Sequence, residues 1–128
     1  MNPIIQTKGS AGADLSIPKD VWLWPFQTKL VMTEYVYDIP ASLGDDPLHT
    51  DVRPRSSVSR RGILVHLGLI DSDYVGNKVG VIMTNLTPFP KRVKAGRVAQ
   101  LVICSNYTAG WFATEDRERL KGFGSTNE

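Results

Sequence analysis

Ile63-Leu-Val-His-Leu-Gly68-Leu-Ile-Asp71-Ser-Asp-Tyr74-Val-Gly76 sets a short run of branched apolar residues against a cluster of turn formers. A run this short, ended by Gly and Asp, is the punctuation of a β-strand rather than of an amphipathic helix. The same rhythm recurs on both sides. It predicts strands over Ala13 to Ile17, Val21 to Trp24, Lys29 to Tyr37, His49 to Arg53, Ile63 to Leu67, Val79 to Asn85, Val93 to Lys94 and Ala99 to Cys104. Many short strands with Gly and Pro between them imply an all-β barrel or sandwich. One helix of about one turn is expected around Ser56 to Arg61, with a serine as its N-cap. From Thr114 to Glu128 the chain turns charged and then Gly-rich, with no apolar period able to bury a face, and reads as a terminal arm.

With 128 residues, one domain is expected. Lys and Arg number 15 against 13 Asp and Glu, a net charge of +2, which is no basic surface for nucleic acid, so any anion site is local. No apolar run reaches the roughly 20 residues that span a bilayer, and the first residues lack the order of a signal peptide, so neither membrane insertion nor secretion is expected. The expected location is the cytoplasm, or the host cytoplasm or nucleus for a viral source. The single cysteine, Cys104, has no second Cys or paired His at zinc spacing, and its apolar run Leu101 to Cys104 predicts a buried, inert thiol.

Chemistry-bearing residues fall in five segments: Ala11-Gly-Ala-Asp14-Leu15, Pro54-Arg55-Ser56-Ser57, Gly68 to Gly76, Gly96-Arg97-Val-Ala-Gln100-Leu101, and Gly122-Phe123-Gly124-Ser125-Thr126. Asp14 is either a turn aspartate or a carboxylate for the water shell of Mg²⁺, a hard ion that keeps waters while it bridges phosphates. Arg55, Ser56 and Ser57 form either a solvated turn or a donor set for phosphate oxygens. Asp71 reads as the tip of a hairpin. Were it to line a pocket, its carboxylate would accept a proton from water aimed at phosphorus, and the Tyr74 ring would lie against a sugar and exclude a 2′-hydroxyl. Gln100 and Arg97 are strand and surface residues within reach of phosphate or of an acid. Gly122 and Gly124 allow close backbone approach, Ser125 and Thr126 offer hydroxyls, and Phe123 offers a stacking face.

In this order, and spread over nearly the whole chain, the five segments resemble the motifs of the all-β, homotrimeric dUTPase family. The resemblance implies a jelly-roll-like β-barrel over 1–113 and a C-terminal arm over 114–128 that closes an active site on a neighbouring subunit. It implies hydrolysis of dUTP to dUMP and pyrophosphate by attack of water on the α-phosphorus, assisted by Mg²⁺. Asp71 would be the general base, Tyr74 the deoxyribose gate, and Asp14 a ligand of the metal through water. Arg55, Ser56 and Gln100 would hold phosphates with Ser57 beside them, and Gly68 would lie at the substrate. Phe123 would stack on uracil with Gly124 beneath it, and Ser125 and Thr126 would hold the terminal phosphate.

Three features depart from that pattern. Where the family places an arginine five positions before the phenylalanine this chain has Glu118, flanked by Arg117 and Arg119, and Arg119 is the favoured γ-phosphate contact. The uracil-reading hairpin is reduced to Val65-His66-Leu67, and Gly76 to Gly80 carries an extra residue. The related dCTP deaminase family shares the Arg-Ser-Ser element, but it needs a glutamate where Val81 or Ile82 stands. The remaining alternative is a dUTPase-like module that binds nucleotide or protein as a signal.

Overall fold

The computed structural model describes residues 2–112. Arg119, Phe123, Gly124, Ser125 and Thr126, with the rest of the expected arm, lie outside the described residues. The described chain is almost all strand: β1 (Ala13–Ile17), β2 (Val21–Leu23), β3 (Thr28–Val36), β4 (Ser42–Leu43), β5 (Asp46–Pro54), β6 (Ile63–Val65), β7 (Gly68–Ile70), β8 (Lys78–Asn85), β9 (Lys91–Val93) and β10 (Gly96–Ser105). Two short helices interrupt them, α1 (Ser56–Ser59) and α2 (Thr108–Phe112). None of the described helices is long and apolar enough to cross a membrane.

The strands form curled antiparallel sheets of the jelly-roll-like barrel type. The largest runs β1-β10-β5-β4, with β7 also on β5; a second runs β3-β8-β6; β2 and β9 form a third. Alternation decides which side chains go inside. In β8, Val79, Val81 and Met83 are buried, as are Ile63 and Val65 of β6, and they meet Leu15, Ile17, Val52, Val98 and Leu101 of the large sheet in one core. Each such side chain contributes about 1.5–3 kcal/mol when fully removed from water. Asn85 ends β8 fully buried, yet it is satisfied. Its amide donates to the carbonyls of Leu23 (3.1 Å), Trp24 (3.3 Å) and Phe89 (2.7 Å), and its oxygen accepts from Thr87 N (2.9 Å) and Oγ1 (2.7 Å). One side chain thereby fastens the barrel end around β2 and the 86–90 loop.

Every expected strand is present, but three local expectations change. Gly68–Ile70 is a separate short strand, and Asp71 does not tip a hairpin between paired strands. That strand pairs with β5 as Val52↔Gly68, Asp51↔Leu69 and Thr50↔Ile70, whereas β6 pairs with β8 in the other sheet. His66 and Leu67 therefore carry the chain between sheets, and Asp71 lies where it crosses back toward β8. The short helix forms with Arg55 as N-cap and no side-chain cap, so no serine performs that role. Cys104 is half-buried on the outer face of β10 rather than in the core.

Candidate active site

Asp14 is the centre of one polar cluster. Its backbone bridges Ile4 of the N-terminal segment, through N–H···O bonds of 3.0 and 2.7 Å, and this cover leaves Asp14 only 5% exposed. A carboxylate so enclosed needs counter-charge. Arg55 Nε lies 3.3 Å from Oδ1 and Arg97 Nη1 3.5 Å from Oδ2, and Gln6 Nε2 donates to Oδ2 at 3.0 Å. Arg55 Nη1 also donates to the Arg97 carbonyl at 3.2 Å, so this guanidinium is fixed from two sides.

Strand register delivers Gln100 to the same place. It stands opposite Asp14 across β1/β10 and opposite Arg53 across β10/β5, and its amide donates to the Pro54 carbonyl at 3.2 Å. Gly12 lies against it, and a Cβ there would sit 3.0 Å from Gln100 Oε1 and 3.2 Å from the Leu101 carbonyl. Ser56 and Ser57, both exposed, open α1 immediately after Arg55. The cluster thus gathers two guanidiniums and two side-chain amides at one carboxylate, with two exposed hydroxyls next to Arg55 in the chain, a donor set that suits a multiply charged oxyanion.

Asp71 and Tyr74 form a second group. Asp71 is exposed and extended, and it accepts the Tyr74 N–H at 3.0 Å to open a 3-10 turn over Ser72–Tyr74. The Tyr74 ring stands edge-on to Tyr37 with centroids 6.2 Å apart, and its hydroxyl donates to the Lys78 carbonyl at 2.8 Å. Gly76 N donates to the Tyr37 carbonyl at 3.0 Å, and Tyr37 N to the Asn77 carbonyl at 2.9 Å, stapling the turn to the barrel. Burial raises the Tyr37 pKa, and the charges of Asp38 and Asp71 push it the same way, which places the Asp71 carboxylate within electrostatic reach of that phenol.

The two groups do not meet within one chain. Asp14 is on β1 and Asp71 follows β7, with β10 and β5 between them, and Asp71 extends past the Ile70–Thr50 pair while Asp14 sits at the level of Arg53. Strand spacings of ~4.8 Å across and ~3.3 Å per residue along put them on the order of 20 Å apart. Gly68 opens β7 opposite Val52 of β5, three residues before Asp71 in the chain. Residues that sequence reasoning did not single out include Gln6, whose contact depends on the N-terminal segment folding onto β1, and Tyr37, whose support of Tyr74 depends on the barrel closing.

Curled antiparallel sheets with a clamped carboxylate at one end of a ladder define an all-β protein built to hold an anionic ligand. The dUTPase family profile matches residues 2–127, and the chain belongs to that family. It is 38% identical to the deoxyuridine 5′-triphosphate nucleotidohydrolase of Anaeromyxobacter sp. (strain Fw109-5), over 97% of this chain and 86% of that protein. It is 35% identical to the protein of the same name from Leptospira interrogans serogroup Icterohaemorrhagiae serovar copenhageni (strain Fiocruz L1-130), over 97% of this chain and 89% of that one. Its fold matches a Staphylococcus bacteriophage 80alpha dUTPase solved with dUpNHpp, with a TM-score of 0.72 at 22% identity, covering 100% of this chain and 86% of that chain.

Proposed function

We propose that the protein hydrolyses dUTP to dUMP and pyrophosphate, at sites each assembled from more than one subunit. The observation that carries this reading is the clustering of Asp14, Arg55, Arg97 and Gln100, four residues from two strands and a helix start, in a chain of the dUTPase family. The roughly 20 Å between that cluster and Asp71 supports assembly, because no reach of side chains closes it. So does the outer face of the β3-β8-β6 sheet, where Leu30, Met32, Leu64 and Ile82 are all exposed in the single chain. A contiguous apolar face of that kind marks an interface, and the family's trimer supplies one.

The Asp71 carboxylate takes a proton from water as its oxygen attacks the α-phosphorus. The bond from phosphorus to the bridging oxygen breaks, and pyrophosphate leaves with the electron pair. Arg55, Ser56 and Gln100 hold phosphate oxygens, with Ser57 beside them. Tyr74, fixed by Tyr37 and the Lys78 carbonyl, presents its ring to the sugar and leaves no room for a 2′-hydroxyl. Gly68 brings backbone close to the substrate. Arg119, Ser125 and Thr126 hold the terminal phosphate, and Phe123 covers the uracil with Gly124 allowing the approach.

Both oxygens of Asp14 are already engaged by guanidiniums and an amide, which fits a carboxylate that accepts hydrogen bonds from an ion's water shell rather than a direct ligand. Mg²⁺ carried in with the triphosphate would neutralise the leaving group's charge.

The test is pyrophosphate release from dUTP, dCTP, dTTP and UTP with Mg²⁺, beside Asp71→Asn. Turnover should be confined to dUTP and should fall about 10²–10⁴-fold in the variant. Near-normal turnover by Asp71→Asn would remove its assignment as base. Ammonia release from dCTP would favour a deaminase, and tight nucleotide binding without turnover a sensing module.

A further inference from the structure

A third polar group lies on the outer face of the β5/β10 ladder, apart from the Asp14 cluster and at the strand end where Asp71 leaves β7. His49 and Asp51 are two residues apart on β5 and so share a face, and Cys104 stands directly opposite His49 in the register. One ligand atom from each of the three lies within 4.8 Å of the others. Asp51 Oδ1 is 3.1 Å from His49 Nε2 yet takes no aligned hydrogen bond, and His49 Nδ1, equally removed from water, has no partner. Asp51 Oδ2 is held at 2.9 Å by Arg53 Nη2, and Cys104 Sγ approaches it at 3.9 Å.

We propose that His49, Asp51 and Cys104 form a site for a divalent cation of the zinc class. Thiolate and imidazole select a borderline-soft ion over Mg²⁺, which takes oxygen ligands. Bond lengths of about 2.0–2.3 Å in a tetrahedral site put donor atoms about 3.3–3.7 Å apart; Asp51 Oδ1 and His49 Nε2 are 3.1 Å apart and the three residues' donors lie within 4.8 Å of one another, so rotamer changes close the cage. The oxygen left without a hydrogen bond, Asp51 Oδ1, is the natural ligand. Arg53 on Oδ2 then orients the carboxylate from behind, as outer-shell partners of metal ligands do. Three protein ligands leave a fourth position to water. The cation ties β5 to β10 at the end of the ladder away from Arg55 and Gln100, and needs no nucleotide.

The full chain, stripped with chelator and desalted, is titrated with Co²⁺ in the presence of excess Mg²⁺. One equivalent per chain should bind, with the intense near-ultraviolet charge-transfer band of a thiolate-bound Co²⁺, and Zn²⁺ should displace it. Cys104→Ser should abolish the band, and both it and Asp51→Asn should weaken Zn²⁺ binding at least about tenfold. Zn²⁺ should raise the melting temperature of the wild type and not of Cys104→Ser. Absence of the band in the wild type overturns the proposal, as does competition by Mg²⁺ or Zn²⁺ affinity unchanged in both variants. The wild-type spectrum decides the matter even where a variant folds poorly, and none of these readings depends on dUTP turnover.

Discussion

Two inactive variants of this chain should restore one another. Asp71→Asn removes the proposed base from an exposed turn, and Arg55→Gln removes a proposed phosphate contact while Arg97 and Gln6 still compensate Asp14. Each homotrimer has every junction defective. If each site takes Asp71 from one subunit and Arg55 from the next around a ring, a trimer that carries both variants has one of its three junctions intact in both residues, hence about a third of wild-type activity. If the site lay within one chain, no mixture would recover anything, because every chain carries a lesion. The proposed shared site predicts the first case, in keeping with Asp71 and Asp14 at opposite ends and edges of the β1-β10-β5-β7 array, on the order of 20 Å apart. The variants are co-refolded with different tags, the doubly tagged species isolated, and pyrophosphate release from dUTP measured. Verified mixed trimers without recovery would refute the shared site.

Other consequences concern stability and the phosphate cluster. Asn85→Ala removes a buried amide that serves three carbonyls and accepts from Thr87 N and Oγ1, so it should cost about 3–5 kcal/mol by urea denaturation; a cost under about 1 kcal/mol would show that these groups find other partners. Burial, reinforced by the hydrogen bond and charge of Asp38, lifts the Tyr35 pKa to about 12, above the ordinary value of 10.0. The folded state then keeps a proton that the unfolded chain releases, so this contribution is complete below the unfolded pKa and is lost as pH rises toward about 12. Tyr35→Phe should flatten the alkaline fall in urea midpoint, and an unchanged slope would count against the assignment. Gly12→Ala places a methyl 3.0 Å from Gln100 Oε1 with Leu101 backbone behind it, so Gln100 must move; KM for dUTP should rise several-fold with folding intact, and an unaltered KM would separate Gln100 from substrate.

Strand positions were legible because β-branched runs and turn formers alternate so regularly; β1 matches its expected bounds, β5, β8 and β10 extend theirs, β3 is shifted by one residue, and β2 and β6 stop short. What escaped was whatever register decides. Gly68-Leu-Ile is too short to be recognised as a strand, and becomes one only because β5 offers an edge. Leu101 to Cys104 is uniformly apolar, so its composition hides the alternation that turns Leu101 inward and Cys104 outward, beside a histidine 55 positions earlier in the chain. Arg97, read as a surface charge or the partner of an acid, proves to be the partner of Asp14. The segments for phosphate binding were legible as turns with polar groups, but their convergence is a property of the β1-β10-β5 order, which no local pattern encodes.

Asp14 shows why such a cluster is built around a carboxylate when its ligand is an anion. Arg55 and Arg97 without substrate would repel one another and lie loose in solvent, and ordering two long side chains at the moment of binding would consume affinity. Buried Asp14 removes that cost in advance by holding both guanidiniums, and the Arg97 carbonyl fixes the angle of Arg55. The same carboxylate subtracts one charge from the cluster, so in the proposed site phosphate oxygens would be held by aimed donors more than by excess positive potential. That arrangement favours a ligand whose oxygens match the donor positions over one that is merely anionic. It also makes Asp14 a positioning residue whose loss should be felt through Arg55.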